Sequence, residues 1–487
     1  SYRRWADPLL RQIAAGEPED SSRRLRASLA LLPVDRGQVS YLSQRLLHCT
    51  VAEFQAIRNG LKPHAGDLRA KLWETLRDPR ATETTRFFAG MSLAAYAPDD
   101  HEWTDQDQQF LAGRLVSANP DDQRELRSYL ESIKSRLLEP LRTIYLDESK
   151  PDIERVAATV AIVDFARDDS ELLARLASEA TPVQLNVLFP LLNKSDQRDE
   201  AVQRLRLLTS EQIKPGTPEA ERVRIGRRRA GAAVTLLRLG ERATVFFAFH
   251  SADDFEPVTQ FADAAKEKSV SPRELLECLR LATKDQERFG LLLALGEFDP
   301  AGVPELEKRE IIQTALEWYS KHPKSMIHGA CGWLLRTWGI KDELDRADQT
   351  APDFDKTGER DWFVRKVGDH YLTFVVFQPG SVTVGSPESE ETRRPMEEQT
   401  TMPIRRAFAV CDREATRKLF LEFIEAIGLR GKTDVYGPTP EHPVVGPTWY
   451  EAVSFCRWLT SLAILDEADQ CYIDPNMVPD TEKEKAP

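Results

Sequence analysis

From Pro8 to about Gly339, apolar residues return every third or fourth position between short polar breaks, with almost no strict alternation. That period confines the first two-thirds of the chain to packed helices. A loose motif recurs within it: an arginine, a small or apolar residue three positions on, an apolar helix, and an acidic or Gly/Pro turn. It reads RLRASLALLPVD from Arg24, RFFAGMSLAAYAPDD from Arg86, RVAATVAIVDFARDD from Arg155, RAGAAVTLLRLGERA from Arg229 and RFGLLLALGEFDPAG from Arg288. The spacing suits two helix pairs per interval and predicts a degenerate α-solenoid. Ala27, Ala89, Ala158 and Ala232 would let neighbouring helices approach, while Leu93, Tyr96, Val163, Phe165, Leu295 and Phe298 fill the stack. The Asp99-Asp100 and Asp168-Asp169 pairs are expected to cap the following helices. The segment KSMIHGACGWLLRTWG, with Gly339 as its stop signal, is expected to close the stack.

The pattern changes after residue 344. ELDRADQTAPDFDKTGER, between Asp342 and Glu359, is polar, acidic and without a helical period, and reads as a linker. Tyr371–Phe377 and Ser381–Val384 then read as strands, and Ile404–Val410 as a third. A helix with Leu419, Phe420, Phe423, Ile424 and Ile427 on one face stops at Gly428. Thr448 and Glu451 form a capping box for a helix whose buried stripe would be Ala452, Phe455, Cys456 and Leu459. With 487 residues the chain exceeds what one core serves. The expected division is residues 1–344 helical, 345–360 linker, and 361–487 mixed α and β with a disordered tail.

Charge and cysteine usage exclude several functions. Lys and Arg total 66 against 79 Asp and Glu, a net charge of -13, so wrapping of nucleic acid is not expected. The Arg222, Arg224, Arg227, Arg228 and Arg229 cluster, after the Lys214-Pro215-Gly216-Thr217-Pro218 loop, lacks interleaved aromatics and reads as a salt-bridged helix face. Six cysteines without CxxC spacing argue against disulfides and structural zinc. No apolar run reaches the roughly 18 residues of a membrane helix, and Ser1-Tyr2-Arg3-Arg4-Trp5 is no signal peptide, so the expected compartment is cytoplasmic. The missing initiator Met suggests processing or excision from a longer chain. His328, with no ligand partner at helical spacing, reads as a packing residue, and His442 as a turn residue.

Two stretches resemble known families. LLPVDRGQVSYLSQRLL, EFQAIRNGLKPHAGDLRAKLWETL and RLLEPLRTIYLDES are similar to the HEAT-like region of large bacterial proteins that place it between a Ser/Thr kinase and a sulfatase-modifying-factor domain. This chain has no HRD, DFG or phosphate-covering Gly-rich loop. In the C-terminal part, Val384-Gly385-Ser386-Pro387, Glu397-Glu398, Phe408-Ala409-Val410, Glu414-Ala415-Thr416, His442-Pro443-Val444-Val445, Trp449, Ala452, Phe455, Cys456, Trp458 and Leu459 follow the order of a formylglycine-generating-enzyme domain. About 120 residues resemble the N-terminal half of that sulfatase-modifying-factor (FGE-sulfatase) fold, a C-type-lectin variant. Val384 stands where the family has Met, and Pro447 where a small or β-branched residue is common.

The resemblance implies a copper-dependent, oxygen-using oxidase, but its copper-binding cysteine pair and most of its calcium ligands belong to the distal half, beyond MVPDTEKEKAP. Cys456 and Cys471 are expected to be buried structural thiols. No catalytic, cofactor or metal residue is therefore assigned, and no G-x-S-x-G, HExxH or P-loop is present. The fold class expected is mainly α: a HEAT-like α-solenoid followed by a partial α+β C-type-lectin-like domain. The expected function is a non-catalytic interaction or regulatory scaffold in a bacterial signalling system, its solenoid binding a protein such as a kinase or protease of the same system. The alternatives are a fragment of an FGE-type oxidoreductase, which leaves an enzymatic role open, and a signalling or defence component cut by a protease in the Ser386–Gln399 loop.

Overall fold

The structure, a computed structural model, describes residues 3–194, 197–214, 217–249, 256–354, 357–386, 390, 393–428 and 439–474. The chain is mainly helical, with a small antiparallel sheet region toward its C-terminus. Contacts partition it into two compact units, residues 1–210 with 231–239 and residues 211–230 with 240–487. The boundary between them runs through the Glu219–Arg238 helix.

In the N-terminal unit consecutive helices pack on one another: Ala65–Arg77 on Glu83–Tyr96, and Lys134–Leu146 on Asp152–Phe165. Ala27, Ala89, Ala158 and Ala232 are buried, as are Leu93 and Phe165, while Tyr96 is half-buried and donates its hydroxyl to the Arg58 carbonyl at 2.7 Å. In three of the five motifs, those of Arg24, Arg86 and Arg155, the recurring arginine has a physical reason. A helix leaves its last carbonyls without intrahelical donors, and the arginine of the next motif reaches back to them. Arg86 Nε donates to Leu76 O at 2.8 Å, Arg155 Nε to Tyr145 O at 3.3 Å, and Arg24 Nη1 to Glu17 O at 3.1 Å.

Helix starts are set by short side chains. Thr50 with Glu53, Thr104 with Asp107 and Thr181 with Gln184 make reciprocal capping boxes. Asp169 caps the Ser170–Glu179 helix by accepting from Leu172 N at 2.9 Å. Asp100 does not cap the next helix, Asp105–Val116, whose N-cap is Thr104. It instead accepts from Trp73 Nε1 and pairs with Arg69 at 2.7 Å, because the intervening Trp103 is drawn into the core.

In the C-terminal unit, helices Glu256–Glu267, Pro272–Leu281, Asp285–Gly296, Glu305–Lys321 and Ser325–Thr337 precede the sheets. The Ser325–Thr337 helix is not the last. Lys341–Gln349, read from sequence as linker, is a helix that buries Leu344. Strands β1 (Trp362–Val367), β2 (His370–Phe377) and β5 (Phe408–Cys411) form one antiparallel sheet in the order β1-β2-β5, and β3 (Gly380–Val384) pairs with β4 (Thr400–Ile404) in another. The single strand expected over Ile404–Val410 is broken, since Ile404 closes β4 and Phe408 opens β5 in a different sheet. Helices Arg417–Ala426 and Trp449–Leu462 pack through Phe420, Phe423 and Phe455.

Replacing Arg86 by Met keeps its contact with Phe110 but removes the donor to Leu76 O. We expect a loss of about 1–3 kcal/mol in urea unfolding. Exposed Arg26→Met is the reference and should stay within about 0.5 kcal/mol of the parent. Equal stability of the two variants would disprove this role for the motif arginine.

Candidate functional site

The chemistry-bearing side chains of the C-terminal unit gather where its helices meet β1 and β5. The local sequence explains why. In the Ser325–Thr337 helix, Gly332 has no Cβ, and one placed there would lie 2.9 Å from Tyr319 Cε2 and 3.0 Å from Arg336 Nη1. The glycine therefore admits both a tyrosine ring and a guanidinium against the helix backbone. On the same helix the Trp333 ring covers Gly296 of the Asp285–Gly296 helix.

His328 lies sandwiched between Tyr319 and Trp362, with ring centroids 4.1 and 3.7 Å apart. It is 2 % exposed. Its Nδ1 is 2.7 Å from the Tyr319 carbonyl oxygen, which can only accept, so Nδ1 carries the hydrogen and Nε2 is left as a buried lone pair without a partner among the described residues. Burial disfavours the imidazolium and brings the His328 pKa down to about 4. The sequence reading of His328 as a packing residue agrees with this placement.

The start of β1 is tied to the same helix. Trp362 Nε1 donates to His322 O at 2.8 Å, and Asp361 N donates to Pro323 O at 3.1 Å. The Asp361 carboxylate accepts from Ser325 N at 2.5 Å. Lys324, the residue at the N-cap position, makes no side-chain cap, so Asp361 caps this helix from a distant part of the chain.

Two recesses open beside this joint. One, of about 490 Å³, is bounded by Asp348, His370, Thr373, Arg413, Lys418 and Phe455. The other, of about 460 Å³, is bounded by Ser325, Met326, Trp333, Arg336, Val375 and Arg413. Asp412 and Arg413 belong to both and form the wall between them. Arg413 Nε and Nη2 donate to the two Asp412 oxygens at 3.0 and 3.1 Å. Tyr319 donates its hydroxyl to Asp348 Oδ1 at 2.6 Å, while burial pushes the Asp348 carboxyl above its ordinary range. Burial, then the like charge of Arg413, lowers the Arg336 pKa. On the far wall His370 Nε2 lies 2.6 Å from Glu422 Oε2. In the N-terminal unit a polar groove of about 960 Å³ holds charges largely paired with one another, including Arg127 with Asp164 at 2.6 Å and Arg204 with Glu171 at 3.4 Å.

The other residues weighed from sequence fall as follows. Arg228 is buried and bonded to Glu211 at 2.8 Å, Arg224 pairs with Glu221 at 2.7 Å, and Arg229 donates to Phe247 and Ala248 carbonyls, so the basic cluster is a salt-bridged and carbonyl-bound face. Pro215 and Gly216 of the preceding loop lie outside the described residues. His442 accepts or shares a hydrogen bond with Thr439 at 2.7 Å, and its carbonyl accepts from Arg417 N, a turn role. Gly385, at φ +96, brings Ser386 onto Glu397, whose carbonyl accepts from Ser386 N at 2.8 Å. Pro387, Tyr436-Gly437-Pro438 and residues 475–487 of the tail lie outside the described residues.

Cys456 and Cys471 are corrected: both are exposed, Cys456 because the Trp449–Leu462 helix buries Val453 and Phe455 and turns Ala452 and Cys456 outward. The atoms around its sulfur, and next the charge of Cys471, nonetheless push the Cys456 thiol up. Cys49 and Cys278 are buried with thiols pushed up to about 12. Sequence reasoning did not single out Tyr319, Arg336, Asp348, Trp362, Asp412 or Arg413. They come from separate elements and share no spacing, although Arg336 between Trp333 and Trp338 is unusual in an apolar helix.

Among the described residues no group of three His, Cys, Asp or Glu side chains is placed to hold a metal ion, and no helix is long and apolar enough to cross a membrane. His328 makes a testable pH sensor of stability. Its folded pKa lies below the ordinary 6.5, so its contribution is fully present above about pH 6.5 and is lost as pH falls toward about 4, by roughly 3 kcal/mol. His328→Phe retains a ring in the stack and should flatten stability over that window relative to the parent. Parallel profiles for the two proteins would refute it.

Compared with known protein families and with curated proteins, the chain matches no family model and no curated sequence.

Proposed function

We propose that this chain is a non-catalytic protein-interaction or regulatory scaffold, its helices forming a HEAT-like solenoid that docks a protein partner. In this reading the C-terminal sheet region is a partial C-type-lectin-like domain of FGE-sulfatase type, and the setting is a bacterial signalling system. Sequential packing of neighbouring helices in the N-terminal unit supports the solenoid. The motif order and the meeting of Ser386 with Glu397 support the lectin-like reading.

The observation that carries an interaction role is apolar surface left in water. Every β3 residue is exposed, as are all of β4 but Ile404, with Val384 at 50 % and Met402 at 54 %. Phe377 and Phe408 stack 5.3 Å apart while both remain exposed, with exposed Val410 two residues on in β5, and exposed Val382 pairs with Met402 across β3 and β4. Apolar side chains clustered in this way favour association with a covering surface.

The second reading, a fragment of an oxygen-dependent oxidoreductase, draws on the exposed Cys456 and Cys471. One experiment separates the two. The kinases and proteases of the same system are tested for binding to the native chain, and oxygen consumption on a cysteine-containing peptide is measured with copper. The scaffold reading expects a saturable protein complex, weakened at least about tenfold by Val384→Glu with Met402→Glu or by charge substitutions on the helices. It also expects Cys456→Ser to leave binding intact and stability within about 0.5 kcal/mol. Copper-dependent turnover that Cys456→Ser abolishes would overturn it.

A further inference from the structure

The recess bounded by Ser325, Met326, Trp333, Arg336, Val375 and Arg413 holds hydrogen-bond donors that no described residue accepts from. The Arg336 guanidinium is half-buried and makes no hydrogen bond or ion pair with any described residue. Its neighbours in the same unit behave otherwise: Arg280 is bidentate to Glu310, Arg288 pairs with Asp285, and Arg413 is bidentate to Asp412. Arg413 spends Nε and Nη2 on Asp412, which leaves Nη1 without an acceptor among the described residues and fixes the direction of the guanidinium. Ser325 uses its backbone N–H on Asp361, and its hydroxyl has no partner among the described residues.

The Arg413 guanidinium lies close enough to Arg336 to disfavour its charge, an arrangement that an anion between them would relieve. The charged side chains bounding the recess are Arg336, Arg413 and Asp412, two positive against one negative. Asp348, whose field also reaches both arginines, bounds the neighbouring recess and accepts from Tyr319. Met326, Trp333 and Val375 supply apolar wall.

We propose that this recess is an oxyanion site for a carboxylate, bound by Arg336 and Arg413 with its apolar substituent against Met326, Trp333 and Val375. A monoanion matches the one net positive charge of the lining side chains, and the planar fork of a guanidinium matches the two oxygens of a carboxylate. The carboxylate can come from a small acid or from an acidic peptide side chain. The proposal stands on the recess alone and does not depend on the scaffold reading.

The test is calorimetric titration of the full chain with sodium butyrate, with an acetylated and amidated hexapeptide carrying one glutamate among leucines, and with inorganic phosphate. The expected result is saturable binding of at least one carboxylate probe, weakened about tenfold or more by Arg336→Gln, partly restored in Arg336→Lys, and unchanged by Arg365→Gln on the exposed face of β1. Thermal melting of each variant verifies that it folds, and Ser325→Ala, which keeps the helix cap, provides a milder second reduction. Tighter binding of the peptide than of butyrate identifies a peptide source, and equal or weaker binding a small acid. No saturable carboxylate binding, binding indifferent to Arg336→Gln, or phosphate bound more tightly than either carboxylate would overturn the proposal.

Discussion

A helix that ends inside packed protein leaves carbonyl oxygens that neither water nor its own backbone can satisfy, and each orphan costs on the order of 1–3 kcal/mol. In this chain that constraint is met by arginines from the following helix pair. Arg24, Arg86 and Arg155 each donate to a carbonyl at or just past the end of an earlier helix. The guanidinium reaches across the turn and fixes where the second helix begins relative to where the first ends. Small residues such as Ala89 and Ala158 can then sit fully buried because the spacing is already set.

The same problem is solved differently where helices give way to strands. The Ser325–Thr337 helix has no cap of its own, and Asp361, just before β1, supplies one. Trp362, the next residue, completes the stack on His328 and Tyr319. Once β1 is anchored, its pairing with β2 and the pairing of β2 with β5 bring Asp412 and Arg413 beside a helix that already carries Arg336. The charged recesses are thus a product of helix capping and strand register together.

Much of the helical region could be read in the sequence because each signal is local. The three-to-four-residue apolar period, the Thr-x-x-Glu boxes and the glycine stops act within one helix, and Gly428, at φ +72, ends the Arg417–Ala426 helix as its position suggests. The Lys341–Gln349 helix was hidden because it buries a single apolar residue, Leu344, and so has almost no apolar period. β1 went unread because Trp362–Val367 interleaves Arg365 and Lys366 with its buried residues. The outward turn of Cys456 depends on which face of a short helix meets Phe420 and Phe423, a tertiary matter that the spacing of apolar residues left open between two faces. Arg336 and Arg413 meet only through the sheet, so no linear motif announces them.

The bond from Ser325 N to Asp361 spans 36 residues. On a ribosome, the Ser325–Thr337 helix emerges well before the carboxylate that caps it, and its first turn must wait in water until β1 is made. Closing a loop of that length carries an entropic cost that grows only slowly with further residues, so insertions between Thr337 and Asp361 would delay the closure little. Interrupting translation before Asp361 would instead leave a helix with a frayed start and an exposed His328 ring. The order of synthesis therefore makes the joint the last part of the helical region to become rigid, and the first strand the event that makes it so.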